Sequence, residues 1–259
     1  MSWIAVLLLG VAVTDLVRSV WLVAIVPEAA GAALAVCAGL AGDLTRPGDL
    51  VALVGIAAVV VAWGQTAWLA TDARPPTLPA WAPLAVLGAA LMVLLLCSVW
   101  AKPVSGAFAH WLSRAEVPVL SGMHPSGAML TVAVFLLQLS SGNVIVRLVL
   151  LATGTTNPTL AAGDQPSEQL RGGRLLGPME RVFIVGLGLA GHVTAASIVI
   201  AAKGLLRFPE LQAKREVTVP ADGAKLTPTN IDKVTEYFLV GSFLSWLIAL
   251  GSLVLLSGR

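Results

Sequence analysis

The run at residues 80–100, AWAPLAVLGAALMVLLLCSVW, constrains this chain more than any other stretch. It carries no charged residue, and Trp81 and Trp100 stand at its two ends. As an α-helix it separates the two indoles by roughly 28 Å, close to the thickness of a bilayer's hydrocarbon core. Aromatic residues at both ends of such a run match the belts found at membrane–water interfaces. Composition extends the point to the whole chain. Of its 259 residues 57% are apolar and 12% charged, against about 25% charged in a soluble domain. So little charge cannot cover a surface in water, and so much apolar side chain excludes a disordered chain. Two cysteines exclude a disulfide scaffold. The net charge of +2 is spread between apolar runs with no dense Lys/Arg tract, which argues against a nucleic-acid partner.

The sequence therefore predicts an all-α, polytopic transmembrane bundle of about six spans, with a range of five to seven. An N-terminal membrane region, 1–128, holds spans at about 2–26, 50–70 and 80–100, and an interfacial helix at about 105–116. In the last, Phe108, Trp111 and Leu112 recur at helical spacing beside Arg114. A C-terminal region, 129–259, holds spans at about 129–150, 178–206 and 236–256. No basic residue precedes the first apolar run, so that run does not read as a signal peptide. Residues 29–42 are apolar but too short to span, which suggests a re-entrant or interfacial segment; a frame of 19–41 is the alternative. Ser140-Ser141-Gly142-Asn143 interrupts the run at 129–150. The loop at 203–235 holds six basic residues and is expected on the cytoplasmic side. Counting back through six spans then puts both termini outside.

Polar residues inside or beside the spans are the candidates for function. Asp15 and Arg18 lie three apart, on one helix face, where they could pair. With Asn143, Arg147 and His192 they form a candidate intramembrane polar site. Lys203 and Arg207 share a face near the end of a helix expected to run from Pro178 to Arg207. A hairpin back to Glu236 would complete an interfacial cluster of Lys203, Arg207 and Glu236. Arg174, Glu180 and Arg181 form a motif expected at the opposite membrane face. Gly186, Gly188 and Gly191 spell G-x-G-x-x-G. In an apolar run followed mainly by another span, that spacing reads as small residues at a helix contact rather than as a dinucleotide loop. His110 and His124 lack a supporting cluster of metal ligands, and Cys37 and Cys97 read as buried small hydrophobes. No catalytic motif, metal site or cofactor site emerges.

The segments GNVIVRLVL (142–150), GRLLGPMER (173–181), AAKGLLRFPEL (201–211) and EYFLVGSFLSW (236–246) carry a resemblance. Residues 130–259 resemble the C-terminal region of the domain-of-unknown-function 3307 group, an uncharacterised bacterial integral-membrane family. The resemblance implies a multi-pass protein of the bacterial inner membrane and brings no activity, cofactor or catalytic residue. The expected function is a non-enzymatic scaffold or accessory protein that binds membrane lipids or a membrane partner, another copy of itself included. A small transporter or channel using the intramembrane polar residues is the alternative. A membrane-embedded lipid-modifying enzyme, with Glu180 or Glu236 as acid/base, is the second.

Overall fold

The computed structural model describes residues 1–21, 25–73, 76–115, 122–155, 173–202, 205 and 231–258. The described residues are helical, with no strand among them. The helices are α1 (Ser2–Val20), α2 (Val26–Ala41), α3 (Pro47–Thr71), α4 (Trp81–Leu96, tightening into a 3₁₀ turn at Cys97–Trp100), α5 (Gly106–Arg114), α6 (Pro125–Leu139), α7 (Ser141–Ala152), α8 (Gly173–Leu189), α9 (Val193–Ala202) and α10 (Ile231–Ser257). The chain divides into two units: Met1–Val149 with Val254–Arg259, and Leu150–Leu253.

In the first unit α1 is the central pillar. It packs against α2, α3 and α6, and its residues from Ser2 to Ala12 are all buried. A helix that is apolar on every side has to be enclosed, by protein or by lipid. The outer helices are apolar on the outside as well. α3 turns Leu53, Ile56, Val60 and Trp63 inward and leaves Val51, Val54 and Trp68 exposed. Of the candidate spans α4 is the most hydrophobic and the least covered, with Leu96 72% and Val99 87% exposed. In water these faces would be a large aggregation-prone patch. In lipid they need no cover, because the helical backbone satisfies its own hydrogen bonds. Among the described residues four helices are long and apolar enough to cross a membrane: Ser2–Val20, Pro47–Thr71, Trp81–Trp100 and Leu239–Ser257. The pair α6–α7 makes a fifth if counted as one broken span, bent by 53°. Its break falls in the predicted Ser140–Asn143 interruption.

The sequence reading of the N-terminal region needs correction. The predicted span 2–26 ends at Val20, and residues 26–41 form α2, which is shorter than the helices able to cross a membrane. It runs antiparallel along α1 and packs on α3. Close approach makes this possible. A Cβ on Gly31 would sit 1.9 Å from the Thr14 hydroxyl and 2.5 Å from the Gly10 carbonyl oxygen. A Cβ on Gly39 would meet the Leu53 side chain at 2.3 Å. Gly31, Ala35 and Gly39 thus form a small-residue seam of the kind that draws membrane helices together.

The return of α2 also changes the topology. The start of α1, the α2–α3 turn and the end of α4 share one end of the unit: Ser2 Oγ donates to the Lys102 carbonyl at 2.6 Å, and Trp3 Nε1 to Asp49 at 2.8 Å. The end of α3, at Asp72, lies at the other end, so residue 2 is on the side of the 101–115 segment rather than opposite it. α5 forms near its predicted bounds, with Phe108 and Trp111 ring centroids 5.8 Å apart. Cys37 is exposed, not buried as expected, because α2 turns its seam inward and Cys37 outward.

In the second unit the expected continuous helix from Pro178 to Arg207 is absent. α8 starts earlier, at Gly173, with Pro178 inside it, and stops at Leu189. Gly191 adopts φ +79°. The His192 N–H donates to the Leu187 carbonyl at 2.8 Å and the Gly191 N–H to the Gly188 carbonyl at 3.2 Å. These two bonds are a Schellman motif, which closes a helix on a left-handed glycine. α9 starts afresh at Val193. The hairpin geometry is overturned too. Glu180 and Arg181 meet Trp246 and Ser245, while Gly188 abuts Leu253. Both helices therefore advance in the same direction, and the starts of α8 and α10 lie at one end of the unit instead of opposite membrane faces.

Candidate functional site

The polar residues buried at the Asp72 end of the first unit form the best-defined cluster. It grows from α1, whose otherwise apolar sequence carries Thr14, Asp15 and Arg18 in its last two turns. The α1–α2 hairpin brings Glu28 back beside them. Arg18 Nη2 donates to Glu28 Oε1 in an ion pair, and Gln65 Nε2 of α3 donates to the same oxygen at 3.1 Å. Trp63 Nε1 donates to the Asp15 carboxylate at 3.2 and 3.3 Å. Arg18 and Asp15 share a face, as their spacing predicts, but Arg18 pairs with Glu28.

The helix break completes the site. Ser140 shares its hydroxyl proton between the carbonyl oxygens of Ala12 (2.8 Å) and Leu136 (2.9 Å), tying the bend to α1. Ser141, fully buried at the start of α7, places its hydroxyl beside Asp15 without closing a well-formed hydrogen bond. One turn and a half later, Arg147 reaches the end of α3. Nη2 donates to the Thr71 carbonyl at 3.2 Å, and Nη1 lies 3.5 Å from Asp72 Oδ1. Arg147 thus satisfies an orphan carbonyl at a helix C-terminus, where a cation is also favoured by the dipole. Between these groups lies a cleft of about 50 Å³, lined by Asp15, Arg18, Ala67, Trp68, Thr71, Asp72, Val144 and Arg147. That is room for a few water molecules.

The structure brings together Asp15, Arg18 and Arg147 of the predicted intramembrane set. Asn143 is exposed on α7 and outside the cleft lining. His192 belongs to the second unit, exposed at the break between α8 and α9. Glu28, Trp63, Gln65 and Asp72 were not singled out from sequence. For Glu28 the usable signal is an isolated carboxylate between two apolar runs.

A second set of contacts ties the opposite end of the first unit. Asp43, two residues past the end of α2, has φ +59° and accepts bonds from Lys102, Ser105 and Thr45. The hydrogen bond from Lys102 chiefly, then that from Ser105, holds the Asp43 carboxyl below its usual range. In the second unit, Trp246 Nε1 donates to Glu180 at 2.8 Å and Arg181 Nη1 donates to Ser245 Oγ at 3.0 Å. Arg181 is 1% exposed. Of the two remaining predicted sets, Lys203 and Arg207 lie outside the described residues, as do the side chains of Glu236 and Arg174. Among the described residues no group of three or more His, Cys, Asp or Glu converges on a common point that could hold a metal ion.

Comparison with protein-family models, with curated proteins and with solved structures finds no match to this chain. The sequence segments 173–181 and 236–246 meet in the fold, since Glu180 and Arg181 of the first contact Trp246 and Ser245 of the second.

Proposed function

We propose that this chain is a multi-pass protein of the bacterial cytoplasmic membrane, with loop 203–235 on the cytoplasmic side, acting as a non-enzymatic scaffold or accessory protein for lipid or a membrane partner. One observation carries the reading: the charged side chains within the bundle tie helix to helix. Arg18–Glu28 joins α1 to α2, Arg147 joins α7 to the end of α3, and Glu180–Trp246 joins α8 to α10. Charge arranged this way sets register and rigidity, while the outer faces offer apolar surface to lipid or to another membrane helix. Purification from the native membrane in mild detergent, followed by native mass spectrometry, tests it. A membrane protein or phospholipid retained at fixed stoichiometry is expected; a chain that emerges bare under every mild detergent overturns the proposal.

The cleft favours a second reading, a small transporter. It sits beside a broken helix, the arrangement used for membrane transport sites. Solute flux into vesicles that depends on Arg147 would support it.

A further inference from the structure

The cluster around the cleft does not balance in charge. Arg18 is paired with Glu28, and Arg147 lies against Asp72. Asp15 is the carboxylate left over: among the described residues no cation stands in ion-pair contact with it. It is 6% exposed, deep in an apolar bundle, yet it lines a cleft large enough for water. A lone carboxylate in that setting calls for one positive charge.

The neighbours decide which. A metal cation of the hard kind takes about six or more oxygen ligands. Asp15 faces hydrogen-bonding groups instead. Trp63 on α3 gives an indole N–H, and Ser141 on α7 gives a hydroxyl that closes no well-formed bond. The charged groups around it are Arg18 on its own helix, Glu28 on α2, Asp72 on α3 and Arg147 on α7. With a proton on one Asp15 oxygen, the other oxygen keeps the Trp63 bond, and the four remaining charges cancel in two pairs. We propose that Asp15 is a proton-binding site, at which the bundle takes a proton from water in the cleft and returns it there. The proposal does not depend on whether the protein is a scaffold or a carrier. The step is a plain transfer: hydronium gives a proton to the carboxylate and water remains; the reverse gives hydronium back.

Dicyclohexylcarbodiimide tests this on the unmodified full-length chain, because it adds to carboxyl groups that carry their proton in apolar surroundings. The chain in phosphatidylethanolamine–phosphatidylglycerol vesicles is treated between about pH 5 and about pH 9, and adducts are mapped by peptide mass spectrometry. Modification is expected at Asp15, falling by about tenfold or more across that range as the proton is lost. Asp49, equally buried but hydrogen-bonded to Trp3 away from the cleft, is the internal comparison. Absence of an Asp15 adduct at every pH overturns the proposal, and so does an Asp15 adduct whose yield does not change with pH.

Discussion

At the scale of single residues, Gly31 and Arg18 show how differently a position can matter in the same helix pair. The Cβ of an alanine at 31 would overlap the Thr14 hydroxyl and the Gly10 backbone, and backbone cannot step aside as a side-chain tip can. Gly31→Ala should cost about 1–3 kcal/mol and lower the melting temperature in detergent. Gly55→Ala is the matched control. It lies exposed in α3 with open space around it, so it should be neutral or gain up to about 1 kcal/mol from helix propensity. If both variants melt alike, the seam is not a close contact. Arg18→Met raises a different cost. It strands Glu28, whose side chain is 3% exposed, and should destabilise by about 3–5 kcal/mol. The double variant Arg18→Met, Glu28→Met should recover most of that loss; a double variant worse than the single one would show that the pair contributes more than mutual neutralisation. Asp43 adds a pH dependence. Its folded carboxyl titrates below the usual carboxylate value of 3.8. Its contribution is therefore complete above about pH 4 and lost as pH falls through the folded value. Melting curves of the native chain and of Asp43→Asn should differ by a constant amount above that pH and converge below it.

At the scale of elements, the apolar runs predicted helices well because their signal is length and absence of charge, both local. The run at 80–100 became α4 and its 3₁₀ turn, and the Ser140 interruption became a bend. What stayed hidden depends on partners. Residues 29–42 read as too short to cross, and α2 is indeed shorter than the candidate spans; its packing along α1 stayed hidden because it depends on the glycine seam. That seam was visible as Gly31-x₃-Ala35-x₃-Gly39. Helical spacing pairs Arg18 with Asp15, because Glu28 comes within reach only when α2 folds back along α1. The G-x-G-x-x-G pattern hid two roles in one motif: Gly188 gives room to Leu253, and Gly191 ends the helix. The difference is testable. Gly191→Ala forces a Cβ into a left-handed conformation and should cost about 1–2 kcal/mol, whereas Gly186→Ala, with nothing within 4 Å, should be tolerated. Hydrogen exchange at residues 187–196 reads the result; unchanged protection in Gly191→Ala would remove the Schellman stop as the cause of the break.

At the scale of the whole molecule, the decisive consequence is which parts of the chain share a side of the membrane. One span at 2–26 puts residue 27 and the 43–49 turn on the same side. A hairpin of α1 and α2 puts Trp21 and Ile25 at the Asp72 end and the 43–46 turn at the Lys102 end, where Lys102 holds Asp43. Both arrangements satisfy the hydropathy of the sequence, so hydropathy cannot choose between them. Packing does, through Gly31 on Thr14 and Gly39 on Leu53. Single cysteines in a background with Cys37 and Cys97 replaced by alanine separate the two. Trp21→Cys and Thr77→Cys should react with a membrane-impermeant maleimide from one side. Thr45→Cys and Ser113→Cys should react only from the other. All four positions are exposed, so failure to label reports sidedness rather than burial. If Trp21→Cys labels with Thr45→Cys, α2 does not return across the bundle. The cleft would then lose Glu28, and with it the pairing that leaves Asp15 as the unmatched carboxylate.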